Sequence, residues 1–91
     1  MNKGQLVEHM AKGAGISRAA AERALNAFMD AVMDAMAAND KVSLVGFGTF
    51  YVTERKARMG RNPRTGKEMK IPAKNIVKFR TGSRLADSVN R

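Results

Sequence analysis

The densest chemistry in this chain lies between Glu54 and Lys74. Eight of these 21 residues are Lys or Arg: Arg55, Lys56, Arg58, Arg61, Arg64, Lys67, Lys70 and Lys74. Six of them, from Arg55 to Lys70, recur every third residue. Ammonium and guanidinium groups at this density displace counterions from a polyanion. The spacing would suit a basic helix, but Gly60, Pro63, Gly66 and Pro72 interrupt it, and such residues break helix interiors. Asn62-Pro63-Arg64-Thr65-Gly66 is turn chemistry. The segment therefore reads as a hairpin with its tip near Pro63, each leg of about nine residues spanning roughly 30 Å. It has too few apolar side chains to enter a core. A lone two-stranded ribbon is marginal in water, so this one is expected to be mobile when free and ordered on a ligand.

The rest of the chain narrows the ligand. The 91 residues have room for one domain, and a chain this short buries a little over 60% of its unfolded surface. Residues 1–40 carry four Lys or Arg against five Asp or Glu, a balance of −1. Residues 41–91 carry 13 against three, a balance of +10. All the excess positive charge lies in the second half, which implies an anionic polymer or surface as partner. There is no cysteine, so disulfides and thiolate metal sites are excluded. The lone histidine, His9, gives no cluster for a metal and no base for a Ser-His-Asp triad, and reads as a surface or boundary residue. No paired carboxylates or nucleophile–base constellation is visible, so no enzymatic activity and no cofactor are expected. Gly66-Lys67 resembles the end of a phosphate-binding loop, but Glu68 follows it and Arg61 replaces the first glycine. The longest uncharged stretch, Val42 to Thr53, is twelve residues, well short of the ~20 a spanning helix needs. The first five residues hold no apolar run, so no signal peptide is expected. The amphipathic segments lie in the acidic half, which argues against a membrane partner.

The elements that must position the basic segment follow from periodicity. Leu6, Val7, Met10, Ala11 and Ala14 mark one face of a helix over 3–14. Asn2 and Gln5 form a capping box at its start, and Gly13 and Gly15 offer its stop. Ser17 caps a second helix over about 18–38, with a stripe of Leu25, Phe28, Met29, Val32, Met33 and Met36. The methionines in that stripe read as core or dimer interface. Val42-Ser43-Leu44 and Phe50-Tyr51-Val52-Thr53 alternate with period two, and Gly46-Phe47-Gly48 reads as the turn between them. A third strand, 75–80, would turn Val77 and Phe79 inward, and a short helix starts near Ser83. The order is ααβββα, an α+β domain. Its parts are a helical hairpin (1–40), a three-stranded antiparallel sheet with a last helix (41–53 and 75–91), and a long basic ribbon arm (54–74).

Such a ribbon suits duplex DNA. Its cations contact phosphates without reading bases. Arg58, Arg61 and Arg64 near the tip fit a minor groove, where width and potential are felt more than sequence. Pro63, compact and without an N–H, is shaped to enter a base step and kink the duplex. Phe47 and Phe50 are the residue types that stack bases in an RNA binder, but their place on the apolar strand favours the core.

Four blocks then carry a resemblance. Gly46-Phe47-Gly48-x-Phe50, Gly60-Arg61-Asn62-Pro63-x-Thr65-Gly66, Ile71-Pro72-Ala73 and Phe79-Arg80 resemble, in content and spacing, the HU/IHF family of bacterial architectural DNA-binding proteins. The resemblance runs the whole length of the chain. It implies an intertwined homodimer, with pairing to a paralogue left open, whose two arms embrace DNA and whose Pro63 intercalates. For minor-groove wedging of this kind IHF and HU are themselves the standard examples. The implied DNA contacts are Lys3, Arg55, Arg58, Arg61, Asn62, Pro63, Arg64, Lys67, Lys70, Lys74 and Arg80. The implied dimer core comprises Phe28, Val32, Met36, Leu44, Phe47, Phe50 and Phe79. The absence of an extended C-terminal tail looks more like HU than IHF. That implies a histone-like protein of the bacterial cytoplasm and nucleoid that binds with little sequence preference and favours bent or distorted DNA. A sequence-selective, IHF-like protein is the alternative, and an RNA-binding protein the next. Thr81 stands where the family commonly has Pro, Ser83 where Lys is common, and Asn26 where an acidic residue often pairs with Lys3.

Overall fold

The computed structural model describes residues 1–90. Their elements run α1 (Lys3–Ala14), α2 (Arg18–Ala37), β1 (Val42–Leu44), β2 (Gly48–Arg55), β3 (Arg58–Arg61), β4 (Glu68–Ile71), β5 (Lys74–Thr81) and α3 (Ser83–Val89). The chain divides into two compact units, Met1–Asp34 and Ala35–Arg91.

In the first unit, both helix starts form as their sequences dictate. The Asn2 side chain accepts from the Gln5 N–H at 2.9 Å, while the Asn2 N–H donates to Gln5 Oε1 at 3.0 Å. This reciprocal box satisfies two amide groups at the helix entry. Ser17 Oγ accepts from the Ala20 N–H at 3.1 Å and opens α2. Of the two glycines offered as the stop of α1, Gly15 takes the role, in the left-handed region at φ 67°. The core of this unit is small: Val7 and Ala11 of α1 pack with Ala21 and Leu25 of α2, with Met10 at its edge. Leu6 and Ala14, expected on the same face, stay exposed. Ala21 is fully buried, which fits the close approach a methyl side chain allows.

The second unit begins in the last turn of α2, which Asn39 ends with φ 55°. Its three-stranded sheet has the order β1–β2–β5, all antiparallel. A turn joins β1 and β2: the Phe47 N–H donates to the Leu44 carbonyl at 3.0 Å, with Gly46 at φ 81°. Gly48 is required by close approach. A Cβ there would sit 2.6 Å from the Arg80 carbonyl oxygen and overlap Cζ and Cε1 at the edge of the Phe79 ring. That ring lies against Phe50 and Phe47, with centroids 4.8 and 5.7 Å away.

The expected order ααβββα holds for the helices and the three-stranded sheet, and the ribbon arm adds a strand pair of its own. Five strands form, because the ribbon is interrupted. The β2–β5 ladder continues as far as Arg55 opposite Lys74. It lapses at residues 56–57 and 72–73, and β3 and β4 then pair as a separate two-stranded sheet. Each leg of the arm thus pairs over only four residues, Arg58–Arg61 and Glu68–Ile71. Pro72 lies in the lapse and has no N–H to give to a ladder.

Alternation along the sheet separates two faces. Val42, Leu44, Phe50, Val52, Val77 and Phe79 share one. Val77 and Phe79 do point to the apolar face, as expected, but it is only partly covered: Val42, Leu44, Phe50 and Val52 are half-buried, while Val77 is 58% exposed, and Phe47, which touches Phe79, is 49% exposed. In the first unit, Phe28, Met29 and Met33 of α2 are similarly exposed, Met33 at 60%.

Candidate nucleic-acid interface

The arm is built from its tip. Pro63-Arg64-Thr65-Gly66 forms the loop, closed by the Asn62 N–H donating to the Lys67 carbonyl and the Gly66 N–H to the Asn62 carbonyl, both at 2.8 Å. Asn62 Oδ1 accepts from the Arg64 N–H at 2.9 Å, an Asx turn that sets the loop's shape. Thr65 Oγ1 accepts from the Lys67 N–H at 3.3 Å. Gly66 at φ 70° supplies the left-handed residue that lets the chain return. Pro63 and Arg64 are thereby presented at the apex, both exposed. Asn62, placed by sequence among the DNA contacts, spends its carbonyl oxygen on the turn and keeps its amide as a donor.

Below the tip, Arg58 faces Ile71, Met59 faces Lys70, Gly60 faces Met69 and Arg61 faces Glu68. Every-third-residue spacing in an extended chain alternates between faces. Arg58 therefore shares a face with Gly60, Met69 and Ile71, while Arg61 and Lys70 share the other with Met59 and Glu68. Arg55 and Lys74 face each other at the root of the arm, where the sheet ends. Arg55, Arg58, Arg61, Arg64, Lys67, Lys70 and Lys74 are all exposed.

The root continues onto the polar face of the sheet. Ser43, Thr49, Tyr51, Thr53 and Arg55 alternate against Lys74, Ile76, Lys78 and Arg80. Four cations and no acid lie on this face. Arg80 stands here, with its guanidinium 5.3 Å from the centre of the Tyr51 ring. Lys78 is not among the residues that sequence reasoning singles out; its signal is the even spacing that puts Lys74, Lys78 and Arg80 on one side of one strand.

Lys3 lies in the first unit, at the start of α1. It lines a cleft of about 410 Å³ with Gly4, Val7, Arg18, Ala19 and Glu22. Near Ser83, the Gly46 carbonyl accepts from the Arg84 and Leu85 N–H groups at 3.0 and 3.2 Å. These two amides of α3 are thus occupied by the β1–β2 turn. Among the residues read as dimer core, Met36 is buried, Val32, Leu44 and Phe50 are half-buried, and Phe28, Phe47 and Phe79 are exposed.

Among the described residues no group of His, Cys, Asp and Glu could hold a metal, and no helix is long and apolar enough to cross a membrane. What the chain offers instead is a proline-tipped cationic ribbon and a half-covered apolar sheet face. Residues 1–90 match the family described as Bacterial DNA-binding protein. The chain belongs to that family. It is 57% identical to DNA-binding protein HU-beta of Serratia marcescens over 90 residues, covering 99% of this chain and all of the relative. The HU-beta of Escherichia coli (strain K12) is 54% identical over the same span. Among solved structures, a cocrystal of Anabaena HU with DNA superposes with a TM-score of 0.89 at 43% identity, covering 98% of this chain and 97% of that one. HU from Thermotoga maritima follows the same fold, with a TM-score of 0.70 at 27% identity.

Proposed function

We propose that this chain is a histone-like architectural protein that binds duplex DNA through the minor groove with little sequence preference, and bends and compacts it. The observation that carries this reading is the arm: an exposed ribbon with cations on both faces and proline at its tip. A groove has a phosphate wall on each side, so cations on both faces of an inserted ribbon are all usable. Phosphate contacts carry no base code, which accounts for the weak sequence preference. Pro63 is assigned as the wedge. Lys3, Arg55, Arg58, Arg61, Asn62, Arg64, Lys67, Lys70, Lys74 and Arg80 are assigned as polar contacts.

The working form is a homodimer. The half-covered apolar face of the sheet in the second unit and the exposed Phe28, Met29 and Met33 in the first each leave large apolar side chains in water, and a second copy is the cover proposed. Residues 1–40 serve dimerisation, 41–53 and 75–91 form the body and 54–74 the DNA-binding arm, all within one domain. The protein acts by binding alone, without a catalytic step, in the bacterial cytoplasm at the nucleoid.

The test is binding to a straight duplex and to the same duplex carrying a nick, across a salt series. A nick removes part of a deformation cost of order 1–6 kcal/mol. Tighter binding to the nicked duplex, with a steep salt slope, is the expected result. Equal weak binding to both would reduce the arm to an electrostatic clamp. Preference for one straight sequence would indicate an IHF-like protein, and tighter binding to duplex RNA an RNA-binding one.

A further inference from the structure

We propose that Tyr51 is a positioning residue for Arg80: its ring holds the guanidinium on the cationic face of the sheet, ready for the phosphates of DNA passing the root of the arm. The inference rests on the DNA-binding reading above and assigns a residue outside the proposed DNA contacts. Tyr51 sits half-buried in the middle of β2. Its directly opposed neighbour on β5 is Lys78, and Arg80, opposite Thr49, is its diagonal neighbour on the same face. The Arg80 guanidinium carbon lies 5.3 Å from the ring centroid, within the range where the ring's negative face attracts a cation. Diagonal pairs of this kind are within reach of aromatic and long side chains.

The surroundings make this contact matter. The face shared by Ser43, Thr49, Thr53, Arg55, Lys74, Ile76 and Lys78 carries no carboxylate. Ser43 Oγ and Thr49 Oγ1 hydrogen-bond each other at 3.2 Å. Arg80 therefore has Lys78 and other cations as neighbours on its face, and the aromatic ring is what draws its head group down. An arginine so held loses less rotamer freedom when it meets a phosphate. The ring also leaves the charge intact, because a cation–π contact does not neutralise the guanidinium as a carboxylate would.

The experiment uses the full-length protein and a labelled, nicked duplex, with anisotropy read across a salt series. Tyr51→Thr keeps a strand-forming residue and removes the ring; its Kd should rise about two- to fivefold with the salt slope unchanged, since no charge is removed. Tyr51→Phe should bind as wild type. Arg80→Ala should lower the slope by about 0.9 for each phosphate it leaves unneutralised, and Tyr51→Thr in that background should add nothing. Wild-type affinity in Tyr51→Thr overturns the proposal. So does an equal loss in Tyr51→Phe, which would assign the hydroxyl instead, or a full Tyr51→Thr effect without Arg80. In the free wild-type protein, the Arg80 Cδ protons should show a ring-current shift by NMR, and its absence overturns the proposal even if Tyr51→Thr does not fold. If that shift is present but the wild type shows no salt-dependent DNA binding, the DNA-binding reading has failed and the proposal with it, while the contact itself stands.

Discussion

Glu68 is the acid in β4 and faces Arg61 directly across the β3–β4 ladder. Opposed Cβ atoms in such a pair lie about 4.5–5.5 Å apart, and opposite charges there attract by roughly 0.2–1 kcal/mol. The two do not close an ion pair within 4.0 Å in the free chain, so what Arg61 would give up on engaging a phosphate is the looser attraction of opposed charges. Glu68→Gln removes it and keeps the side chain's size. The affinity for duplex DNA should therefore rise about 1.5- to fivefold per arm at low salt, and more steeply for a dimer engaging both arms. The gain should shrink at high salt, where exposed charges are screened. Anisotropy titrations of wild type, Glu68→Gln, Arg61→Ala and the double variant form the cycle that isolates the pair. In the Arg61→Ala background, most of the Glu68→Gln gain should vanish. If the gain is undiminished there, Glu68 acts by repelling DNA directly and the pairing argument is refuted. If Glu68→Gln has no effect in either background, this stretch of the arm does not meet phosphate at all.

Pro63→Ala should reduce DNA bending, read by energy transfer between the duplex ends, more than it reduces affinity; unchanged bending would remove the wedge. Arg58→Ala should weaken binding uniformly across sequences and lower the salt slope by about 0.9 per phosphate left unneutralised, and weakening confined to one sequence would contradict a backbone role. Gly48→Ala forces a methyl group against the Phe79 ring and the Arg80 carbonyl; overpacking of this kind costs roughly 1–3 kcal/mol, and a thermal melt matching wild type would show that the site yields. Phe79 is exposed in the single chain; with its ring buried by the second copy as proposed, Phe79→Ala should cost about 3–5 kcal/mol and make the melting temperature depend more strongly on protein concentration, as a weakened dimer requires.

The helices are legible in the sequence because their signals are local. Asn2, Gln5, Gly15 and Ser17 do within four residues what their types predict. The β1–β2 turn and the arm tip are legible for the same reason, as Gly46 and Gly66 supply the positive φ that each turn needs. The lapse at residues 56–57 and 72–73 is not legible in its effect. Pro72 reads as a helix breaker, yet its missing N–H also divides a ribbon, and that depends on where the partner strand lies. The basic period of three is visible, but its meaning changes with the backbone: a helix would gather such cations on one side, whereas strands distribute them. Lys78 and Tyr51 do not stand out because neither belongs to a cluster in the sequence. Only the β2–β5 register brings them beside Arg80.

Under the proposed function, the same register would couple the order of the chain to DNA binding. One face of the sheet is apolar and half-covered, the other cationic and free of acid. In a single chain each face is a liability, the first through exposed Val77 and Phe79, the second through the mutual repulsion of Arg55, Lys74, Lys78 and Arg80. A second copy of the chain relieves the first, and a polyanion relieves the second. The arm adds a third unfilled requirement, since β3 and β4 form a two-stranded sheet of four residues each, too small to be stable alone. Phosphates on both sides of a groove neutralise both of its faces at once. Binding therefore supplies order as well as charge balance. Part of the affinity would be spent on ordering the arm whatever the duplex; bending is a further cost, and a duplex already kinked has met part of it, which is why the proposed function favours such sites.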